Sequence, residues 1–211
     1  MMCEQEVIRS NENLADEIRK HFGLPTGISF DPSSWFSYGS NLNSCYFEKK
    51  MKKKPRFSDL KLLKIRKALL PGYRRELNNE SSGHGLSYAI WENGSGVEGI
   101  VHDVPLVELA NYLNMEGLVD LRNYRLWKSP RYRIIDIEKS TIMSGVPHVL
   151  TLVGIMENSR PLELIMREKG DELLEYVRAS LQGAIEEHFD SAPFQAKLEE
   201  LEFIARSIGL C

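Results

Sequence analysis

The stretch Trp35-Phe36-Ser37-Tyr38-Gly39-Ser40-Asn41-Leu42 decides how the rest of this 211-residue chain is interpreted. Its first half, Trp35 to Tyr38, is rich in aromatic residues and predicts a short β-strand. Gly39, Ser40 and Asn41 then end the strand, because these residue types tolerate tight turns and leave backbone N–H groups uncovered. Such a loop can present its N–H groups to an anion or to a carbonyl oxygen. An ordinary junction between a strand and a turn is the alternative on this stretch alone.

The composition is that of an ordinary globular protein with one sizeable core. Charged residues make up 27% of the chain and hydrophobic residues 42%, and 211 residues suit one domain better than two. No apolar run approaches the ~20 residues that a membrane helix needs, and the first residues do not resemble a secretory signal. Three cysteines, Cys3, Cys45 and Cys211, are odd in number and lack metal-ligand spacing. A cytoplasmic location is therefore expected, with no membrane partner.

Positive charge is concentrated in one segment. Residues 49–67 hold ten Lys and Arg residues and one acidic residue, although the formal net charge of the chain is −3. A cluster in its first part could bind phosphate or nucleic acid. The members of this Lys49–Arg56 cluster are Lys49, Lys50, Lys52, Lys53, Lys54 and Arg56. Aromatic residues do not alternate with the lysines as they do in single-strand binders, so a solvated loop and helix face is favoured over a nucleic-acid partner.

Periodicity and turn signals predict helices interleaved with strands. Helices are predicted over residues 10–22, 105–114, 171–188 and 192–208. Strands are predicted at 35–38, 72–77, 86–91, 97–104, 132–137 and 146–153, and the segments 78–85 and 92–96 are interpreted as loops. Hairpin connections favour antiparallel pairing. The predicted fold class is therefore α+β, with a mixed, mostly antiparallel sheet curled into a small barrel and flanked by helices.

Glu116 is the candidate acid/base residue. It is predicted at the C-terminus of the helix over 105–114, where the negative end of the helix dipole disfavours a carboxylate. Burial beside Met115 and Leu118 would act in the same direction. A carboxylate in such surroundings can take up and return a proton near neutral pH. A surface glutamate beside a helix-stopping Gly117 is the alternative on spacing alone.

Four short motifs, in this order, resemble those of the gamma-glutamylcyclotransferases and their relatives. The first is Tyr38–Leu42 after its aromatic strand. Ala68–Arg74 is similar to the family's A-x-L-x-G-Y strand, and Gly94–Val104 is similar to its G-x-x-V-x-G-V-V hairpin. Leu113–Gly117 falls on the family's L-D-x-x-E-G segment, whose glutamate is the catalytic acid/base. The resemblance covers roughly residues 35–203 and implies that Glu116 has this role.

The resemblance also implies a substrate-binding set. Tyr132 matches the pocket tyrosine that follows the catalytic glutamate in the family. Tyr176 matches a second pocket tyrosine, through a Y-x(6)-G-A pattern that ends at Gly183-Ala184. The packing role that tyrosines usually have is the alternative for both. The loop residues of the implied set are Tyr38, Gly39, Ser40, Asn41, Leu42 and Asn43.

The chain also departs from the family pattern. The spacing between Glu116 and Tyr132 is several residues longer than in compact members, which predicts a loop inserted at 118–131 and makes Tyr124 a rival for the role of Tyr132. Asn114 replaces the usual Asp. The first helix has no clear family counterpart, and it either mediates self-association or caps the barrel. Residues 1–30 are therefore interpreted as an N-terminal helical extension and residues 31–211 as a single gamma-glutamylcyclotransferase-like domain.

The implied reaction is the intramolecular cyclisation of a gamma-glutamyl amino acid or amine, with release of 5-oxoproline and a free amine. The α-amine attacks its own γ-carbonyl, so the enzyme orients one molecule and needs no external nucleophile, metal or cofactor. The expected partner is a small gamma-glutamyl compound, and a homodimer is left open. Asn41 argues against the glutathione-specific branch, whose loop differs there. The alternative function is a non-catalytic binding protein that uses the Lys49–Arg56 cluster for an anionic partner.

Overall fold

A computed structural model describes residues 4–43, 45–46, 63–81, 83–128, 132–138, 148–155 and 158–210. The Lys49–Arg56 cluster, on which the alternative anion-binding function depends, lies outside the described residues. No helix among those residues is long and apolar enough to cross a membrane.

Runs of strands are interleaved with helices along the chain, as the sequence predicts. The strands are β1 (Ser33–Ser37), β2 (Leu63–Leu70), β3 (Tyr73–Ser81), β4 (Gly85–Glu92), β5 (Val97–Val104), β6 (Val119–Asp120), β7 (Arg125–Leu126), β8 (Tyr132–Glu138) and β9 (His148–Gly154). The α-helices are α1 (Glu4–Phe22), α2 (Leu109–Met115), α3 (Leu162–Glu186) and α4 (Ala192–Ser207). Single 3-10 turns cover Ser40–Leu42 and Leu106–Glu108.

The large sheet is mixed and curled. Its strand order is β2-β5-β1-β9-β4-β3, with β8 paired to β9. The pairs β1/β5, β2/β5, β3/β4 and β8/β9 are antiparallel, whereas β1 and β4 run parallel to β9. The predicted α+β class and mixed, mostly antiparallel sheet are confirmed. The sheet curls with helices on its flanks, as expected, and it forms a half-barrel whose strand order ends at β2 and β3.

Two hydrophobic cores lie on the two sides of this sheet. Side chains alternate along β9, so that Val149 and Val153 enter a first core with α3 and α4, whereas Leu150 and Leu152 enter a second core with α1 and α2. Helix α1 contributes the fully buried Leu14 to the second core. The helix therefore packs on the sheet, and the division of the chain at residue 30 stays a prediction.

The N-terminal helix also holds the start of α2. Asn11 of α1 is completely buried. Its Oδ1 accepts a hydrogen bond of 2.8 Å from the backbone N–H of Ala110, and its Nδ2 donates to the carbonyl oxygen of Val107 over 3.2 Å. A helix leaves its first N–H groups without partners inside the helix, and a side chain from α1 meets that need here.

Several boundaries differ from the sequence prediction. The first part of strand β2 was not predicted, because its charged residues favoured a solvated loop and helix face over 49–67; only its last residues, Ala68–Leu70, fall in the strand that the family resemblance implies. Strand β3 continues through the predicted loop to Ser81, since its polar second half pairs with β4 across a bulge at Leu77–Asn79. Helix α3 begins at Leu162 instead of residue 171 and contains a kink at Lys169, whose φ of −144° is not helical. Helix α1 begins at Glu4 instead of residue 10.

The segment 118–131, predicted as an inserted loop, contains a small hairpin. Strands β6 and β7 pair antiparallel, with Val119 opposite Leu126 and Asp120 opposite Arg125. Leu118 and Val119 are fully buried in the second core. The hairpin is thus attached to the body of the fold through its apolar side chains.

His102 is a buried titratable residue of the second core region. It lies on β5 opposite Trp35, and its ring makes an edge contact with Tyr112 at 5.3 Å between centroids. Neither ring nitrogen has a hydrogen-bond partner among the described residues. Burial lowers the pKa of His102 from 6.5 to about 3, against a smaller raising effect of Asp103. His102 is therefore neutral in the folded protein at ordinary pH.

We expect His102 to make the folded protein less stable in mild acid. Below pH 6.5 the unfolded chain binds a proton on His102 that the folded chain accepts only near pH 3, so the free energy of unfolding falls as the pH falls. At pH 5 the loss amounts to about 2 kcal/mol. The free energy of unfolding in urea should therefore fall less between pH 7 and pH 5 for His102→Leu than for the wild type, by about this amount. His21→Gln, at an exposed histidine, is the control and should keep the wild-type drop; an equal drop in His102→Leu would contradict the prediction.

Candidate active site

The loop Tyr38–Leu42 follows β1 and closes into a single 3-10 turn. The N–H of Leu42 donates to the carbonyl of Gly39 at 3.0 Å, and the N–H of Asn43 donates to the carbonyl of Ser40 at 3.1 Å. These two N–H groups are therefore already hydrogen-bonded within the turn. The N–H groups of Gly39, Ser40 and Asn41 precede them, and these three residues line the main cavity.

Helix α2 ends at the residue that carries the candidate carboxylate. Glu116 is the C-cap, and Gly117 follows with a φ of +75°, a conformation that glycine adopts at little cost. The N–H of Gly117 donates to the carbonyl of Asn114 at 3.0 Å, and the N–H of Leu118 donates to that of Leu113 at 2.8 Å. Two such bonds past a left-handed glycine are typical of a helix C-terminus. The predicted position of Glu116 at a helix end is confirmed.

A hydrogen bond joins the loop to this carboxylate. Nδ2 of Asn41 donates to Oε1 of Glu116 at 2.9 Å, between residues that are 75 positions apart in sequence. Both side chains line the cavity. Oδ1 of Asn41 is buried and has no partner among the described residues. The amide therefore orients the Glu116 carboxylate with one end and keeps an unused acceptor at the other.

Tyrosine side chains surround the carboxylate. Oη of Tyr38 donates to the carbonyl of Leu152 at 2.5 Å, and Oη of Tyr176 accepts from the N–H of Tyr88 at 3.0 Å. Oη of Tyr132 and Oγ of Ser87 are 2.6 Å apart and share a hydrogen bond. A Cβ atom on Gly39 would lie 3.1 Å from Oη of Tyr176, so the absence of a side chain at Gly39 lets this hydroxyl approach the loop closely.

The tyrosine hydroxyls are held in their protonated form. Burial raises the pKa of Tyr38 and that of Tyr176 well above 10, and the neighbouring Glu116 adds to both increases. The pKa of Tyr112, a third tyrosine of the cavity wall, is raised for the same two reasons. These side chains therefore act as neutral hydroxyl groups at physiological pH, and the carboxylate is the group of this cluster suited to proton transfer.

The cavity that these residues line has a volume of about 1150 Å³. This is large enough for a small organic substrate, since ligand pockets typically span about 300–1,000 Å³. Among the described residues no cluster of three or more His, Cys, Asp or Glu side chains could hold a metal ion. Around the Asn41–Glu116 pair, the polar side chains that line the cavity are a carboxylate, an amide and tyrosine hydroxyls.

Comparison with solved structures shows what this arrangement resembles. No protein-family model matches the sequence, and no curated protein matches it significantly. A structure described as a gamma-glutamyl cyclotransferase aligns with 83% of this chain and 99% of its own, with a TM-score of 0.52 and 19% identity. A yeast gamma-glutamyl cyclotransferase specific to glutathione aligns with 82% of this chain and 97% of its own, at a TM-score of 0.51 and 14% identity. The chain has a gamma-glutamylcyclotransferase-like fold.

A third structure shares this gamma-glutamylcyclotransferase-like fold. YkqA from Bacillus subtilis aligns with 81% of the chain at a TM-score of 0.50 and 21% identity. The chain spans only 54% of the length of YkqA. At these identities the similarity establishes the fold alone.

The gamma-glutamylcyclotransferase-like fold brings most of the predicted site residues together. Glu116 and six of the substrate-binding residues expected from the sequence line one cavity: Tyr38, Gly39, Ser40, Asn41, Tyr132 and Tyr176. Tyr124, the rival of Tyr132, lines a smaller neighbouring cavity instead. Leu42 and Asn43 are not part of the main cavity lining.

Leu42 and Asn43 hold the turn against helix α3 instead. Leu42 is buried in the first core. A Cβ atom on Gly183 of α3 would lie 2.6 Å from the carbonyl carbon of Leu42 and 2.6 Å from the backbone nitrogen of Asn43. Oδ1 of Asn43 accepts from the N–H of Tyr46 at 2.7 Å. Both residues therefore position the loop rather than face a substrate, which differs from the expectation.

The cavity also contains residues that sequence reasoning missed. His84 stacks on the ring of Tyr176, with centroids 4.0 Å apart and an interplanar angle of 14°. Ser87 and Tyr88 of β4 complete the same wall. The run Leu86–Trp91 predicts β4 as a strand, but it does not indicate which strands lie beside it. His84 gave no signal in the sequence, because its partner Tyr176 is far away along the chain.

We expect Gly183→Ala to disturb both the loop and the stability of the protein. The new Cβ would overlap backbone atoms of Leu42 and Asn43, which can yield only if the turn moves away from α3. Overpacking of this kind costs about 1–3 kcal/mol, measurable by urea unfolding. Gly170→Ala is a matched control in the same helix, because its Cβ would meet the mobile side-chain ends of Leu210 and Met166 at 3.2 and 3.5 Å. An equal, small effect of both substitutions would contradict the close contact.

Proposed function

We propose that this protein cyclises a gamma-glutamyl amino acid or amine, releasing 5-oxoproline and a free amine, with Glu116 as the acid/base. The observation that supports the proposal most directly is the hydrogen bond between Asn41 and Glu116, which joins the carboxylate to the Gly39–Asn41 loop in one cavity. The gamma-glutamyl cyclotransferases among the structural neighbours support the same class of reaction.

Glu116 moves the proton in this reaction. The carboxylate removes a proton from the substrate α-ammonium, and the freed nitrogen lone pair attacks the γ-carbonyl carbon. A C–N bond forms, the carbonyl oxygen takes up negative charge, and a five-membered lactam ring closes. The oxyanion then re-forms the carbonyl, and the bond to the leaving nitrogen breaks as Glu116 gives its proton to that nitrogen. The lactam nitrogen passes its second proton through the same carboxylate to the released amine, which leaves as an ammonium ion. One carboxylate thus acts as base and then as acid, a contribution typically worth about 10²–10⁴ in rate.

The loop provides hydrogen-bond donors for the γ-carbonyl oxygen, the atom on which negative charge develops. Gly39, Ser40 and Asn41 line the cavity, and their N–H groups would donate to the γ-carbonyl oxygen as it becomes an oxyanion. Donors fixed by the fold stabilise such a charge without reorganising during the reaction. The 3-10 turn and its packing on α3 fix these donors in place.

The tyrosines of the remaining wall hold the substrate in the conformation in which it can cyclise. Because the nucleophile and the carbonyl belong to one molecule, the enzyme must bring the α-nitrogen to the γ-carbon, and orientation of reacting groups can supply about 7–11 kcal/mol. The hydroxyls of Tyr132 and Tyr176 are held by Ser87 and by the N–H of Tyr88. These fixed hydroxyls can bind the polar groups of the glutamyl portion while Glu116 acts on its nitrogen.

Glu116→Gln tests the proposal. The glutamine can still accept the hydrogen bond from Asn41 but cannot transfer a proton, so the formation of 5-oxoproline should fall by about 10²–10⁴ while substrate binding persists. The measurement is the release of 5-oxoproline from a panel of gamma-glutamyl amino acids and amines. Glu108→Gln, at the opposite end of α2 and outside the cavity lining, should keep wild-type turnover. A Glu116→Gln variant with wild-type turnover would show that this carboxylate is not the acid/base.

A further inference from the structure

One wall of the main cavity comes from the inserted segment 118–131. Strand β6, strand β7 and the residues just after them contribute Asp120, Asn123, Arg125, Leu126, Trp127 and Lys128 to the lining. The backbone N–H of Trp127 donates to the carbonyl of Leu118 at 2.9 Å, which ties the end of the hairpin to its start. We call this surface the hairpin wall.

The hairpin wall presents positive charge to the cavity. Residues 118–128 contain three cations and one carboxylate. The carboxylate, Asp120, is already engaged, since its Oδ1 accepts from the backbone N–H of Arg122 at 3.0 Å and from Nε of the same residue at 3.1 Å. Arg125 and Lys128 form no ion pair with any of the described residues, and both are exposed. Two cations without an ion pair among the described residues therefore line the cavity at this wall.

Carboxylates on the other walls of the cavity make the hairpin wall the positively charged side. Glu17 of α1 and Glu80 of β3 line the cavity from other elements. A negatively charged portion of a substrate would be repelled by these carboxylates and by Glu116, which leaves the hairpin wall as its favourable position. Trp127, with 42% of its surface exposed, adds an apolar face beside the two cations.

The polar surface continues past the hairpin. A smaller cavity of about 390 Å³ shares Glu17, Asn123 and Arg125 with the main one and extends to Ser10 and Asn13 of α1. Arg125 stands at the junction of the two cavities. A substrate whose leaving portion is longer than a single amino acid would therefore still have Arg125 within the path of its chain.

We propose that the hairpin wall is the subsite for the leaving group and that it recognises a carboxylate through Arg125 and Lys128. The preferred substrates would be gamma-glutamyl amino acids or short gamma-glutamyl peptides, over gamma-glutamylamines that lack the carboxylate. This inference rests on the proposed cyclisation. A guanidinium can donate two parallel hydrogen bonds to a carboxylate, and an ammonium adds a compact charge beside it. Trp127 would cover the apolar part of the leaving group.

The test compares two substrates that differ only in that carboxylate. Gamma-glutamyl-L-alanine and gamma-glutamylethylamine have the same leaving carbon skeleton, and release of 5-oxoproline is measured for each with the full chain. The wild-type kcat/KM should favour the alanine compound. Arg125→Ala should reduce this preference roughly 10- to 100-fold, the value of a charge-assisted hydrogen bond, and Arg125→Ala with Lys128→Ala should reduce it further.

Arg122→Ala is the matched control, because it removes a cation of the same hairpin that is bound to Asp120 and does not line the cavity. It should keep the wild-type preference. Equal wild-type kcat/KM values for the two compounds, or an unchanged preference in Arg125→Ala, would overturn the subsite and leave the cyclisation standing. Release of 5-oxoproline from neither compound by the wild type, at the level of Glu116→Gln, would overturn the cyclisation and the subsite together.

Discussion

The pairing of β9 is the constraint on which the rest of this structure depends. The strand pairs antiparallel with β8 along its length, parallel with β1 at Leu150 and Thr151, and parallel with β4 at Val153. Its alternate side chains enter both cores. One strand therefore sets the positions of three others, and it connects the two hydrophobic regions of the fold.

The same pairing assembles the candidate site. The carbonyl of Leu152 in β9 accepts the hydroxyl of Tyr38, which follows β1. Tyr132 begins β8 opposite Gly154, and its hydroxyl meets Ser87 of β4. Groups that are far apart in sequence thus converge at one end of β9. Strand β1 ends at this edge because it runs parallel to β9, and β8 begins there because it runs antiparallel to β9.

The sequence predicts the parts of this arrangement that depend on local interactions. The end of α2 at Glu116 follows from Gly117, since a left-handed glycine stops a helix whatever surrounds it. The aromatic stretch Trp35–Tyr38 and the polar Gly39–Asn41 likewise specify a strand and a turn by themselves. The first part of strand β2 was not predicted, because its charged residues resemble a solvated segment. The stacking of His84 on Tyr176 was not predicted, because it forms only once β4 lies beside α3. Contacts between residues so far apart in sequence produce no periodic pattern.

Electrostatics assigns different tasks to the groups that meet in the cavity. Burial keeps the hydroxyls of Tyr38, Tyr112 and Tyr176 protonated, with the pKa of each raised further by Glu116. Because these hydroxyls keep their protons, the proton transfer that we propose is assigned to the carboxyl group of Glu116. The side-chain amide of Asn41 holds Glu116 by donating to its Oε1. The buried Oδ1 of Asn41 is an acceptor suited to an ammonium group of a substrate.

Helix α1 belongs to this arrangement although it has no clear counterpart in the family that the motifs resemble. Its buried Asn11 accepts the N–H of Ala110 and donates to Val107, which satisfies backbone groups at the start of α2. The opposite end of α2 carries Glu116, only a few residues away on a short, rigid helix. An element that fixes one end of such a helix also limits the movement of the other. The N-terminal helix is thereby coupled to the position of the carboxylate, and through Glu17 it forms part of the cavity wall itself.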